Sequence, residues 1–363
     1  MKSFYLKFLT LSAIFGLVSW LHSSPQTTLW YFEIRDSTPL WDAMTRLGKV
    51  KMNVLDTARL YDVKKGQELA TQGFTTNFEG KNTRKVGAHP CIACHTTQPE
   101  YTRLDVLDAP KRLQYADSLD LPFLPGAPFY GVVNRVYFFT EDYQSKIKNE
   151  EAVPLLRAGH LDLRKAIQAC NTVYGQGREL ESWEVESILA YLWTLQIKIG
   201  DLGLSEEDRK DIEFALEQNT GNAKAVNLLR RYYPEVYPAT LAEPQAVLVR
   251  KKTSPVMNNF KNGSRVYKQS CLYCHGEKKY ADFALDTQKT TFQFLKKNLD
   301  DTTSRYSIYE ALRFSPLSKG NRTGSPHFTS QRMSDQQIQD LRFYIIQMAT
   351  HGQEAYNYYK NQK

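Results

Sequence analysis

No dense block of basic residues appears anywhere in this 363-residue chain, although 47 Lys and Arg outweigh 39 Asp and Glu for a net charge of +8. The positive charge is scattered, which excludes nucleic acid as a partner and leaves an acidic or anionic one. Also missing are a G-x-x-x-x-G-K-[ST] phosphate loop, an H-E-x-x-H helix and a nucleophile elbow. P-loop nucleotide hydrolysis, zincin proteolysis and α/β-hydrolase chemistry therefore have no support. No strand-rich region occurs, so the expected fold is mainly α. Hydrophobic content of 42% and charged content of 24% exclude a disordered or fibrous chain. Cysteine is scarce, and its count of five is odd.

At the N-terminus, Lys2 and Lys7 precede an apolar run from Phe8 to Leu21, followed by His22-Ser23-Ser24. This is the layout of an export signal. There is no A-x-A cleavage pattern, and counted from Phe4 the run is about long enough for a short membrane span. Residues 1–24 are thus expected to be a signal peptide or an N-terminal membrane anchor. The body is expected to be periplasmic or otherwise extracytoplasmic.

Hydrophobic periodicity divides the rest. A helical lead-in (residues 25–61, with Thr38 to Leu60 helical) precedes a first module, residues 62–204. That module closes with a helix from Ser182 to Ile199, with Ser182 as N-cap, Gly200 as stop and Trp183, Val185, Ile188, Leu189 and Leu192 on one face. A helical and then extended connector (205–255) begins at Ser205-Glu206-Glu207-Asp208, an acidic helix start. A second module, 256–351, repeats the plan of helix, cysteine motif, loop and terminal helix, and a tail (352–363) follows. Ser334 is the expected N-cap of the last helix, with Ile338, Leu341, Tyr344, Ile345 and Met348 on its inner face. The architecture is expected to be two helical domains joined by the connector.

Two pentapeptides carry the chemistry: Cys91-Ile92-Ala93-Cys94-His95 and Cys271-Leu272-Tyr273-Cys274-His275. In C-x-x-C-H, two thiols at this spacing add to the vinyl groups of one haem, and the adjacent imidazole binds its iron. The chain is therefore expected to hold two covalently bound haem c groups. Cys91, Cys94, Cys271 and Cys274 would form the thioethers, with His95 and His275 as proximal iron ligands. A redox C-x-x-C pair would call for a βαβ setting, which is lacking. A zinc ribbon would make the histidine after both motifs a coincidence.

The second module resembles class I c-type cytochromes over about 95 residues, through Asn262-Gly263, Val266-Tyr267 and the motif that follows. That resemblance implies a first helix crossing a terminal helix, with Gly263 allowing close approach to the surface of Leu341, Tyr344 and Ile345. It also implies a distal ligand from the loop holding Ser325-Pro326-His327-Phe328 and Met333-Ser334-Asp335. The family's usual methionine is replaced by Ser325, which leaves His327, Met333, Lys319 or an open iron.

The fifth cysteine, Cys170, has no disulfide partner in the chain once the motifs are assigned. It is either a buried structural thiol or a thiolate on the distal side of the first haem, with His160 as rival ligand. Ala166-Ile167-Gln168-Ala169-Cys170, Gly177 and Leu180 are similar to a segment of the diheme thiosulfate dehydrogenases and sulfur-oxidation (Sox) cytochromes. There a cysteine at this place ligates one haem. Val173 and Tyr174 depart from the Arg and Ser that this family usually shows, which weakens the case for a sulfur oxyanion.

Tyr130 to Arg135 are expected near the first haem edge. Arg135 or Arg178 would contact a propionate or anion there, or simply be solvated, and His89 is expected to be exposed. The functional expectation is a diheme cytochrome passing electrons between a donor and a terminal acceptor or respiratory complex outside the cytoplasm. The partner would be a redox protein, acidic or membrane-bound. The alternative is an oxidoreductase of the thiosulfate dehydrogenase type, with a His/Cys-ligated haem as active centre.

Overall fold

Regular structure among the described residues is entirely helical, apart from single β-bridges joining Pro39 to Lys198 and Thr76 to Asn82. The computed structural model describes residues 34–139, 152–240, 258–281, 283–299, 307–314 and 327–360. The signal or anchor segment, Ser325-Pro326 and Lys319 lie outside them. All the described residues belong to one compact unit, Ile34–Lys363.

The lead-in is helical only at α1 (Leu40–Arg46); residues 48–62 form turns and irregular chain. Helix α2 (Val63–Gln72) begins where the Asp62 carboxylate accepts from the Lys65 amide and ends at Gly73, whose φ of 80° is left-handed. Next come α3 (Ala109–Ser118), α4 (Ala152–Ala158), α5 (Leu163–Ala169) and α6 (Ser182–Thr194). The connector holds α7 (Glu206–Gln218), capped by Ser205 as expected, and α8 (Asn222–Arg230). The second module contains α9 (Phe260–Val266), α10 (Leu272–His275), α11 (Lys289–Leu299), α12 (Ile308–Phe314) and α13 (Asp335–His351). Residues 353–360, expected as a tail, form α14 (Gln353–Lys360), which buries Ala355 and stacks Tyr359 on Phe260 at 4.5 Å.

Two features of α6 differ from expectation. Its N-cap is Glu181, which exchanges reciprocal hydrogen bonds with Glu184, so Ser182 is the first helical residue. It stops at Thr194 because the following residues pair with the N-terminal segment instead. Leu40 donates to the Ile197 carbonyl at 2.8 Å, and Ile199 donates to Thr38 at 2.9 Å. Gly200 sits in a separate turn, Ile199–Leu202.

The same device organises both modules. In the first, α2 crosses α6 at Gly66, where a Cβ would overlap the Ser187 carbonyl oxygen. In the second, α9 crosses α13 at Gly263, where a Cβ would overlap the Asp340 carbonyl oxygen. Glycine is needed at each crossing because the partner backbone occupies the space of a side chain. Leu341, Tyr344 and Ile345 are buried at the second crossing, as expected, and Ser334 caps α13 by accepting from the Gln337 amide.

Two apolar cores result. One gathers Leu69, Val133, Leu156, Leu163, Ile188, Leu189 and Leu192. The other gathers Phe260, Tyr267, Phe292, Met333, Leu341 and Met348, and it also takes Ala109, Leu113, Ala116 and Phe123 from α3 and its following loop. A segment that follows the first motif in sequence thus completes the core around the second.

Candidate functional site

The first motif follows Pro90 as a single 3-10 turn, Cys91–Ala93, in which the Cys94 and His95 amides both donate to the Cys91 carbonyl at 3.1 Å. The turn presents His95 to the Pro-rich loop that follows α3. There the His95 Nδ1–H donates to the Ala127 carbonyl at 2.6 Å and the ring stacks on Phe129 at 4.6 Å. Gly126 donates to the Cys94 carbonyl at 2.9 Å, and a Cβ on it would lie 2.5 Å from His95 Nδ1. The protonated Nδ1 leaves the Nε2 lone pair as the free donor of a neutral imidazole. Burial, with help from the Arg332 and Arg135 charges and against the Ala127 hydrogen bond, pushes the His95 pKa down to about 4.

Opposite that lone pair stands Cys170. Its Sγ lies 3.8 Å from His95 Nε2. With metal bonds of about 2.0 Å to nitrogen and 2.3 Å to sulfur, the two atoms are close enough that they could bind one metal ion together. Cys170 ends α5, where Asp162 caps the helix by accepting from the Arg164 and Lys165 amides, and it opens a π-turn, Cys170–Tyr174. Such turns occur often at functional positions. Burial pushes its thiol up to about 12, so loss of the proton calls for a nearby metal charge.

The second motif begins at the last residue of a π-turn, Tyr267–Cys271, and continues through α10. His275 Nδ1 donates to the Phe283 carbonyl at 3.2 Å with its ring on Phe283 at 4.3 Å. This again leaves Nε2 as the free donor. The two motifs touch. Tyr273 donates its hydroxyl to the Ile92 carbonyl at 3.0 Å, and Cys274 Sγ donates to the Ala93 carbonyl at 3.5 Å. A cavity of about 330 Å³ runs between them, lined by Ile92, His95, Glu100, Arg112, Phe123 and Tyr273.

Burial raises the pKa of every motif thiol: Cys91 to about 11, Cys271 to about 12, Cys274 to about 11, and Cys94 well above its usual value. A redox C-x-x-C nucleophile needs the opposite shift. Among the described residues no group of three His, Cys, Asp or Glu side chains is arranged to hold a metal ion, which disfavours a zinc cluster. What remains are half-buried thiols with raised pKa values, each pair beside a neutral imidazole.

Beside the first motif, Glu100 is buried between Arg112 at 3.1 Å and Arg332 at 2.6 Å. Although burial raises its pKa, the two guanidinium charges hold the carboxyl down at about 2. Arg135, expected at the surface or on an anion, is buried. It donates to the Pro128 and Tyr130 carbonyls and lies over the Tyr237 ring at 4.2 Å. Arg178 is held by the buried Glu184 at 2.5 Å. Both arginines serve the fold because a buried charge must be paired or hydrogen-bonded.

His160 gives its Nδ1–H to the Phe139 carbonyl and stacks on Tyr137 at 4.9 Å. His327 is buried, tilted against Tyr174 at 5.5 Å, and burial with the Arg313 charge takes its pKa down to about 4. Met333 is fully buried in the second core. His89, expected to be exposed, is half-buried with its Nδ1 out of reach of solvent and of any hydrogen-bond partner. Burial chiefly, and His89 after it, lower the pKa of His275, against the Phe283 hydrogen bond. Sequence reasoning missed Gly66, Ala127 and Arg332, and the helical crossing plan offered a signal for Gly66 alone.

Residues 258–345 match the family described as cytochrome c oxidase, cbb3-type, subunit III. That segment is a c-type cytochrome module, a haem-based electron carrier of the kind that holds haem c covalently. No curated protein and no solved structure matches the chain.

Proposed function

We propose that the chain binds two haem c groups and relays electrons between them outside the cytoplasm. One observation carries this reading: the two C-x-x-C-H motifs lie back to back, joined by the Tyr273–Ile92 and Cys274–Ala93 contacts. Haem supplies the one-electron Fe(III)/Fe(II) couple. Cys91 and Cys94 would hold the first group, with His95 and Cys170 as its candidate iron ligands. Cys271 and Cys274 would hold the second, with His275 and either His327 or Met333 as candidate ligands.

The protein's own work is orientation and insulation. The Ala127 and Phe283 carbonyls each fix one imidazole by accepting from its Nδ1–H, and that hydrogen bond raises the donor strength of the opposite nitrogen. Phe129, Tyr174 and Val173 surround the first site with apolar surface. A thiolate opposite His95 favours the ferric state and a low potential. The first site would therefore give up its electron readily, and the second would take it.

Location outside the cytoplasm rests on the expected export segment and on the usual home of c-type modules. No helix among the described residues is long and apolar enough to cross a membrane. The proposed redox partner is a protein with an acidic face or one held at a membrane, matching the net charge of +8.

Mass spectrometry of the denatured holoprotein tests the reading. Two added porphyrin masses are expected, falling to one in Cys91→Ser/Cys94→Ser and to one in Cys271→Ser/Cys274→Ser. A single haem, retained only when the second motif is intact, would overturn it.

A second reading, a sulfur-compound oxidoreductase, is favoured by the Cys170–His95 pairing itself. Thiosulfate-dependent reduction of the haem, absent for sulfate, would establish it. The apolar Val173 and Tyr174 beside Cys170 favour the relay.

A further inference from the structure

The residue before Met333 acts on the other site. Arg332 belongs to the second module but points its side chain into the loop that supports His95. Its Nε lies 3.2 Å from the Leu124 carbonyl and 3.1 Å from that of Pro125. Its Nη2 donates to Leu124 at 2.8 Å and to the Gly126 carbonyl. The two terminal nitrogens also bind both oxygens of Glu100, at 2.6 and 2.7 Å. Arg112, bound to the same carboxylate, donates back to the Arg332 carbonyl at 3.2 Å.

Three successive carbonyls are thus gathered on one planar fork. The next carbonyl in the chain is that of Ala127, the acceptor for His95 Nδ1. Gly126, clamped on its oxygen side by Arg332, is pinned on its nitrogen side by the Cys94 carbonyl. The loop has little freedom left.

We propose that Arg332 is a positioning residue for the first haem, a clamp from the second module that sets the Ala127 carbonyl against His95. This rests on the reading that His95 carries a haem. The clamp acts in two separable ways. Its fork fixes the direction of the Nδ1–H bond, and so the orientation and donor strength of the imidazole. Its buried positive charge disfavours the oxidised, more positive iron and raises the potential. Lysine can replace the charge but not the fork, because an ammonium is a point charge with no planar geometry. Glutamine replaces neither.

The experiment uses the full-length, haem-loaded protein, with Arg332→Lys, Arg332→Gln and Gly126→Ala. Haem content is read by mass, the two sites by EPR and optical spectra, and their potentials by a spectroelectrochemical titration. All three variants are expected to retain two haems. Arg332→Lys and Gly126→Ala are expected to shift the EPR signal of the first haem and leave that of the second. Arg332→Gln is expected to give the same spectral shift and, in addition, a lower potential at the first haem only. Unchanged first-haem spectra in both Arg332→Lys and Arg332→Gln would overturn the proposal, as would equal shifts at both haems. Loss of the first haem from the wild-type count would instead overturn the diheme reading. Should Arg332→Gln fail to fold, the Lys and Gly126 variants still decide.

Discussion

The phenol of Tyr273 donates to the carbonyl of Ile92 at 3.0 Å, which places the middle residues of the two C-x-x-C-H motifs in direct contact. Cys274 makes a second contact, to Ala93 at 3.5 Å. Each motif is one short turn, so a contact between turns is a contact between the attachment points of whatever they hold. If both motifs hold haem as proposed, the Tyr273–Ile92 hydrogen bond would give an electron a path of a few bonds from one site to the other.

Replacing Cys170 tests the ligand assignment at the first site. In Cys170→Ala the His/thiolate low-spin EPR signal is expected to vanish, with the second haem's signal unchanged. The first haem's potential is expected to rise, because the ferric state loses its anionic donor. An unaltered EPR spectrum would show that Cys170 is a structural thiol.

Acid titration of stability should reveal Glu100. Its folded pKa, about 2, lies below the ordinary value of 4.5. The folded state therefore binds the proton less tightly than the unfolded chain does. The stabilisation is complete above about pH 4.5 and disappears as the pH falls through about 2. Glu100→Gln is expected to flatten this window in urea unfolding. At pH 7 it should cost about 3–5 kcal/mol, because Arg112 and Arg332 lose the buried charge between them.

The two helix crossings make a matched pair of mutations. Gly66→Ala and Gly263→Ala each force a methyl group into a backbone carbonyl. Each is expected to lower unfolding free energy by about 1–3 kcal/mol, the usual cost of overpacking.

The second site's remaining ligand is settled by three alanine variants read with magnetic circular dichroism and EPR. His327→Ala is expected to convert the second haem to high spin, and Met333→Ala to leave it low-spin but destabilise the fold by about 2–5 kcal/mol. His89→Ala provides the comparison, since His89 is a half-buried imidazole whose Nδ1 has no hydrogen-bond partner and which acts electrostatically on His275. Loss of the low-spin signal in His89→Ala alone would assign the ligand to the first module.

What was legible in the sequence is what local spacing decides. The C-x-x-C-H turns, the Ser205 and Ser334 caps and the inner face of α13 all follow from residues within a turn or two of one another. The end of α6 does not: residues 195–199 continue an apolar pattern, yet pair with residues 36–40 from across the chain. Helix α3 was hidden for a similar reason, since its apolar residues are short in number and face a core built 150 residues later. Arg332 read as an ordinary loop cation, and only its five distant oxygen partners reveal its place. The separation in sequence between Arg332 and Gly126 carries no periodic signal.

The lodging of α3 in the second core also bears on how the polypeptide is made. Ala109, Leu113, Ala116 and Phe123 leave the ribosome long before Phe292 or Leu341, so their apolar stripe must wait for a surface that does not yet exist. Cutting the gene between the modules would strand that stripe on one product and leave a matching gap in the other. The halves would then be expected to aggregate separately and to recover solubility when co-expressed.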